Sequence, residues 1–235
     1  MWGIDAIGYN VQTLKAIAPD APVGSWSLIL DPKWAAKFKD CGISILDAPD
    51  EVVSVVLIYL GKDPNSINPA DLKAVEEVLG RIRPYVRMIN SSQYIDSLAN
   101  GDICLALGWN GDILMAKRRA EEAGQGVQIG LGLPKEGSVV WFDMLAIPAD
   151  APHTDNAYAL INYLMRPDVA AANSKLVHYA NGNAASLPLL DPTIRNDAGI
   201  YPTKDVTARL YPSLARTPEY MRLMNRAWTR FTTGR

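Results

Sequence analysis

Short apolar runs and amphipathic stretches alternate along this chain, and that alternation restricts the fold more than any other feature. It specifies an α/β architecture rather than a helical bundle or a β-sandwich. Ser44–Leu46, Ile103–Gly108, Val127–Leu133 and Val139–Ile147 have the length and apolar character of strands. Between them, a helix is expected over Asp50–Leu60, opening after the turn Asp47-Ala48-Pro49. Another over Pro69–Ile82 carries Leu72, Val75, Val78, Leu79 and Ile82 on one face. Helices are also expected over Ile113–Ala123, ended by Gly124, over Thr154–Met165, over Pro167–Val177 and near Pro218–Phe231. Pro167 suits a first helical turn, where its missing N–H costs nothing. Gly182–Lys204, with Pro188, Pro192, Gly199 and Pro202, is expected to be an irregular connection over the surface.

The 235 residues suit one large domain or two small lobes. Their 23 basic and 25 acidic side chains leave a net charge of -2 with no basic block, so nothing favours nucleic acid as a partner. No apolar run reaches the roughly 18 residues that span a bilayer. Met1-Trp2-Gly3-Ile4-Asp5 has no signal-peptide pattern, yet the following Ile7-Gly8-Tyr9-Asn10 already has the character of folded sequence, so a removed leader fits the start as well. Cys41 and Cys104 lie 63 positions apart and make neither a metal-ligand spacing nor a CxxC motif. Two readings stand side by side: two buried thiols, or one disulfide made in an oxidising compartment and worth about 4 kcal/mol on the chain-entropy model.

Little in the sequence points to catalysis. His153 lies in the turn Pro152-His153-Thr154-Asp155, and His178 near a helix end, where a positive imidazole is mildly favoured. Neither belongs to HExxH or accompanies GxSxG, no Walker A loop is present, and Gly126, Gly130 and Gly132 do not form GxGxxG. No cofactor or metal site is expected.

Two segments carry more chemistry. In Gly108-Trp109-Asn110-Gly111-Asp112 an apolar strand runs into a helix, the junction where open α/β sheets place ligands. Asp112 has a plain structural reading as cap of a helix starting at Ile113; the large ring of Trp109 at a strand mouth borders a cavity more readily than it fills a sheet. In Val140-Trp141-Phe142-Asp143, period-two alternation puts Trp141 and Asp143 on one face with Phe142 opposite. Among the apolar Val139, Val140, Met144 and Leu145, Asp143 would be costly without a partner. An acid beside an aromatic plate suits an organic cation. A diamine is charged at both ends near neutral pH, so its ends want carboxylates and its methylene stem wants flat apolar walls.

These residues resemble the two pocket segments of the putrescine- and spermidine-binding proteins of ABC importers. The likeness continues through Ser44-Ile45-Leu46-Asp47-Ala48-Pro49-Asp50-Glu51-Val52, Tyr59-Leu60-Gly61-Lys62-Asp63-Pro64-Asn65-Ser66, Ser91-Ser92-Gln93-Tyr94-Ile95, Ala99-Asn100-Gly101-Asp102-Ile103-Cys104 and His178-Tyr179-Ala180-Asn181. It covers essentially the whole chain and lies nearer the putrescine-binding branch. The resemblance implies a type II periplasmic binding protein, two α/β lobes with a hinge, here lacking most of the N-terminal lobe. Residues 1–140 would form the first part of the C-terminal lobe, 141–186 would return to the N-terminal lobe, and 187–235 would run back. It implies a stacking role for Trp109, ammonium-binding roles for Asp112 and Asp143, an aromatic wall at Trp141, a further pocket acid at Glu51 (or its neighbour Asp50) and a pocket tyrosine at Tyr179. It also implies a Cys41–Cys104 disulfide, a periplasmic location, inner-membrane permease subunits as partners and a monomer at full length.

The absent wall would leave apolar surface uncovered in the returning segment and weaken ligand binding to this chain alone. Other readings of the same residues are a polyamine sensor subunit, an inactive truncated fragment, and a hydrolase with Asp112 and Asp143 as an acid/base pair.

Overall fold

The computed structural model describes residues 1–234. Among them, strands β1 (Trp2–Asn10), β2 (Ile43–Ile45), β3 (Val86–Ile89), β4 (Leu105–Trp109), β5 (Ile129–Gly132), β6 (Ser138–Phe142) and β7 (Leu210–Pro212) form one mixed sheet. Its order is β3-β2-β4-β1-β6-β7, with β5 also on β1. The long β1 is antiparallel to all three of its neighbours: β4 and β5 along its second half and β6 along its first. β2 runs parallel to β3 and β4, and β6 parallel to β7. The expected strands are all present with shifted ends. β1, β3 and the three-residue β7 were not expected. β1 is buried along almost its whole length, so it lacks the polar–apolar alternation that marks a half-exposed strand; Arg87 interrupts the apolar run of β3.

The short helices α1 (Val11–Ile17), α2 (Ser27–Leu30) and α3 (Pro32–Ala35) lead from β1 towards β2. α4 (Pro49–Tyr59), α5 (Pro69–Ile82), α6 (Tyr94–Ala99) and α7 (Asn110–Ala123) follow. The later helices are α8 (Thr154–Leu164), α9 (Pro167–Val177), α10 (Pro192–Arg195), α11 (Lys204–Thr207) and α12 (Pro218–Thr233). α5 has the bounds its periodicity predicts. Asn68 caps it by accepting from the Ala70 N–H, Pro69 fills its first turn, and Leu72, Val75, Val78, Leu79 and Ile82 are buried. Each such side chain contributes about 1.5–3 kcal/mol by leaving water, an upper bound for an extended unfolded chain. α12 packs against α5 with Tyr220, Met224, Ala227, Trp228 and Phe231 inward. The Trp228 indole donates to Asp47 Oδ1 at 2.9 Å, tying this last helix to the loop before α4.

Cys41 and Cys104 are joined in a disulfide with Cα atoms 5.5 Å apart. It stands just ahead of β2 and β4, which pair in parallel. Gly182–Lys204 departs from the surface connection expected for it. A 3-10 helix over Ala184–Leu189 and the short α10 bury Leu190, Ile194 and Ile200 in a second apolar cluster with Leu114, Ala171 and Ala180. The Asp191 carboxylate accepts the Thr193 N–H, so a proline-led turn closes inward rather than running loose. Residues 141–186, by contrast, leave much apolar surface open. α8 buries no side chain, and Phe142, Met144, Leu145, Tyr158, Leu160 and Tyr163 are exposed. Among the described residues no helix is long and apolar enough to cross a membrane.

Candidate functional site

The end of β4 and the start of α7 form the site's frame. Asn110 holds that junction: its Oδ1 accepts the Ile4 N–H of β1 at 2.9 Å, and its Nδ2 donates to the Gly199 carbonyl at 2.6 Å. Trp109 therefore leaves the sheet edge in one direction. Its indole N–H donates to Glu51 Oε2 at 2.6 Å, from the first turn of α4. The neighbouring Asp50 faces elsewhere, with Arg216 Nε 3.4 Å away.

Trp141, near the end of β6, meets Trp109 edge-on at 6.5 Å between ring centroids and Tyr179 at 5.1 Å. Edge-to-face geometry sets the negative face of one ring against the positive edge of the next. Tyr179 arrives because α9 ends at His178 in the left-handed region, φ 57°, after which Trp2 N–H binds the Ala180 carbonyl at 2.9 Å. The Tyr179 hydroxyl donates to Asp112 Oδ1 at 2.6 Å and accepts the Asp112 N–H at 3.2 Å. On the other side, the Tyr94 hydroxyl donates to Asp112 Oδ2 and accepts the Trp109 N–H, both at 3.0 Å.

Asp112 does not cap a helix starting at Ile113. The helix begins three residues earlier, and the carboxylate is instead held between two phenols. Burial raises its pKa, outweighing the two tyrosine hydrogen bonds and the distant Arg119 charge that lower it. Burial, then the charge of Asp112, raises both phenols, so each remains a protonated donor.

Two glycines make this packing possible. A Cβ on Gly111 would stand 2.6 Å from three atoms of the Tyr179 ring, and one on Gly108 would stand 2.5 Å from the Tyr94 ring. Gly111→Ala should therefore push Tyr179 off Asp112 and cost roughly 1–3 kcal/mol of stability, as overpacking does. Urea unfolding measures this; a midpoint equal to that of the unaltered chain would refute the packing role.

Glu51, Trp109, Asp112, Trp141 and Tyr179 thus form one connected group. Asp143 stands apart from it. β6 ends at Phe142, and Asp143 is 70% exposed, 3.9 Å from the Met1 amino nitrogen. The expectation of a costly acid among apolar neighbours fails because Met144 and Leu145 are themselves exposed. Its charge still helps to raise the pKa of the Tyr179 hydroxyl, after burial and the charge of Asp112. His178 also departs from expectation: burial first, then the Arg118 charge, lowers its pKa, so the helix end does not hold a favoured imidazolium.

Sequence reasoning missed Tyr94 and Asp5 as members of this neighbourhood. Tyr94 lies in the family-like segment Ser91–Ile95 without a role of its own there, and no motif marks Asp5, though Gly108 and Gly111 beside a tryptophan hint at rings lying flat on the backbone. Among the described residues no group of three or more His, Cys, Asp or Glu side chains is placed to hold a metal. A cavity of about 550 Å³ between α5 and α12 offers no comparable constellation. Its charged lining includes Glu76 and Arg230, which pair with each other.

Comparison with known proteins gives the family. The sequence model of the family described as bacterial extracellular solute-binding protein matches residues 3–202. The putrescine-binding periplasmic protein PotF of Escherichia coli is 48% identical over 237 residues, covering 100% of this chain and 64% of that protein. A putrescine/agmatine-binding protein of Pseudomonas aeruginosa is 40% identical, again over 100% of this chain and 64% of its own length. The chain therefore spans about 64% of the length of these curated relatives. A solved Listeria monocytogenes structure described as a spermidine/putrescine ABC transporter superposes with a TM-score of 0.85 at 28% identity, covering 100% of this chain and 68% of that one. The substrate-binding protein PotD of Streptococcus pneumoniae, at 22% identity and a TM-score of 0.79 over 99% and 67% of the two chains, shares the fold. With a mixed α/β sheet like theirs and a family match over most of its length, the chain belongs to the bacterial extracellular solute-binding proteins.

Proposed function

We propose that this chain supplies a polyamine-binding wall of an extracytoplasmic solute-binding protein that captures putrescine or spermidine for an ABC importer without turning it over. One observation carries the reading: Trp109, Trp141 and Tyr179 form a continuous aromatic surface with the carboxylates of Glu51 and Asp112 hydrogen-bonded to it at separate points. Aromatic faces attract an alkylammonium by about 0.5–2 kcal/mol each, and hydrogen bonds to a charged group add about 1.5–3 kcal/mol. A ligand with two cationic ends and a methylene stem suits acids held at separate points along aromatic rings. The relatives' descriptions as putrescine-binding and periplasmic support the same ligand class and a periplasmic location. On this reading Asp143 adds a rim charge that attracts the second ammonium, and the partners are the importer's inner-membrane permease subunits.

The test uses two amines that differ by one charge. Putrescine should quench or shift the tryptophan fluorescence of this chain at a lower concentration than 1-butylamine, by about tenfold or more, because only the diamine can engage two carboxylates. An equal response to both amines, or none to either, would overturn the reading.

A further inference from the structure

Beneath the site lies a carboxyl group that the proposed ligand contacts do not use. Asp5 occupies the middle of β1, directly opposite Trp109 in the β1–β4 ladder, and is 0% exposed. Neither of its carboxyl oxygens has a hydrogen-bond donor within reach. Three donors of this neighbourhood are committed elsewhere. The Ser138 hydroxyl binds the backbone carbonyl of Asp5 itself, the Trp109 indole binds Glu51, and the Asn110 amide binds the Gly199 carbonyl. Glu51 is bound to the indole of Trp109, the residue directly across the ladder from Asp5, and its charge is the one that bears most on Asp5.

An ionised Asp5 would be a dry charge with no counter-ion and a second negative group against it. Such a group neutralises instead. Two carboxyls in contact are comfortable only when one of them carries the hydrogen between them. We propose that Asp5 is a positioning residue: its carboxyl carries a proton and donates it in a hydrogen bond to Glu51, fixing that side chain where Trp109 meets it. The consistent physical background is that burial, followed by the charge of Glu51, raises the pKa of Asp5 well above the ordinary carboxylate range. Glu51 then receives two donors, the Asp5 O–H from below and the Trp109 N–H from the side, and keeps its remaining lone pairs for the cleft. The importance of this arrangement for ligand capture rests on the reading that Glu51 meets a ligand cation; the proton on Asp5 does not.

Infrared difference spectroscopy of the ligand-free chain at neutral pH tests the proton directly. A protonated-carboxyl C=O band should be present in the unaltered protein, absent in Asp5→Asn, and shifted in Glu51→Gln, where the acceptor becomes an amide. No band removed by Asp5→Asn, or a band unmoved by Glu51→Gln, overturns the proposal. Putrescine titration then tests positioning. Asp5→Asn, whose amide still donates to Glu51, should bind within about threefold of the unaltered chain, whereas Asp5→Leu should bind roughly tenfold more weakly. Equal affinities for the Asn and Leu variants would remove the positioning role. Should no form of the chain bind diamine, the polyamine reading fails while the infrared bands still decide the Asp5–Glu51 hydrogen bond.

Discussion

Asparagine in place of Asp112 is expected to weaken putrescine binding by roughly ten- to a hundredfold, the loss of one charge-assisted hydrogen bond. The side chain is held between the Tyr94 and Tyr179 hydroxyls, and an amide of nearly the same shape can remain there with one phenol turned to accept. The fold should therefore survive while the charge does not, and calorimetric titration beside a urea melt separates the two. An affinity within about twofold of the unaltered chain would show that Asp112 serves the tyrosines alone.

The same carboxylate sets a pH dependence. Its pKa is raised mainly by burial, so it takes up a proton at a higher pH than an exposed aspartate would as the solution is acidified. Protonation removes the charge that meets the ammonium. Putrescine affinity should accordingly begin to fall at a pH above the ordinary aspartate range, and Asp112→Asn should flatten that part of the profile.

Breaking the disulfide carries the larger cost to the fold. Cys41 and Cys104 are separated by 63 positions, and a cross-link closing a loop of that length contributes about 4 kcal/mol on the chain-entropy model. Domains of this kind hold only about 5–15 kcal/mol in total. A Cys41→Ala, Cys104→Ala double variant, or reductant added to the unaltered chain, should lower the urea midpoint substantially. The effect arises in the unfolded ensemble, so the tryptophan fluorescence of the folded protein should change little. Coincident unfolding curves with and without reductant would contradict this.

Much of the candidate site was legible in the sequence. Trp109 at a strand mouth and Trp141 two residues before an acid both signalled an aromatic cleft, because a large ring with no room inside a sheet must lie at its edge. The surroundings of Asp143 differ from expectation for a related reason. Alternation was extended through Met144 to Ile147, but a strand lasts only as long as its partner's ladder, and that pairing ends at Phe142. For Asp112 the sequence left a helix cap standing beside the ammonium-binding role, because one residue beside a helix start looks the same whether it binds its own backbone or two distant tyrosines.

The amino-acid sequence alone determined the class of this protein, the α/β alternation, the bounds of α5 and α9, and the identity of the acids and rings available for a cation. Those properties depend on local periodicity and on side-chain type, which neighbours in sequence carry. Only the tertiary structure decided that β1 lies at the heart of the sheet, that Glu51 rather than Asp50 reaches Trp109, and that Tyr94 shares Asp112 with Tyr179. It alone revealed a fully buried, unpartnered Asp5 across the ladder from Trp109. These partners stand between 18 and 67 positions apart along the chain where they hydrogen-bond through tyrosine or tryptophan. The meeting of such residues follows from strand register and helix packing across the whole molecule, which no local pattern encodes.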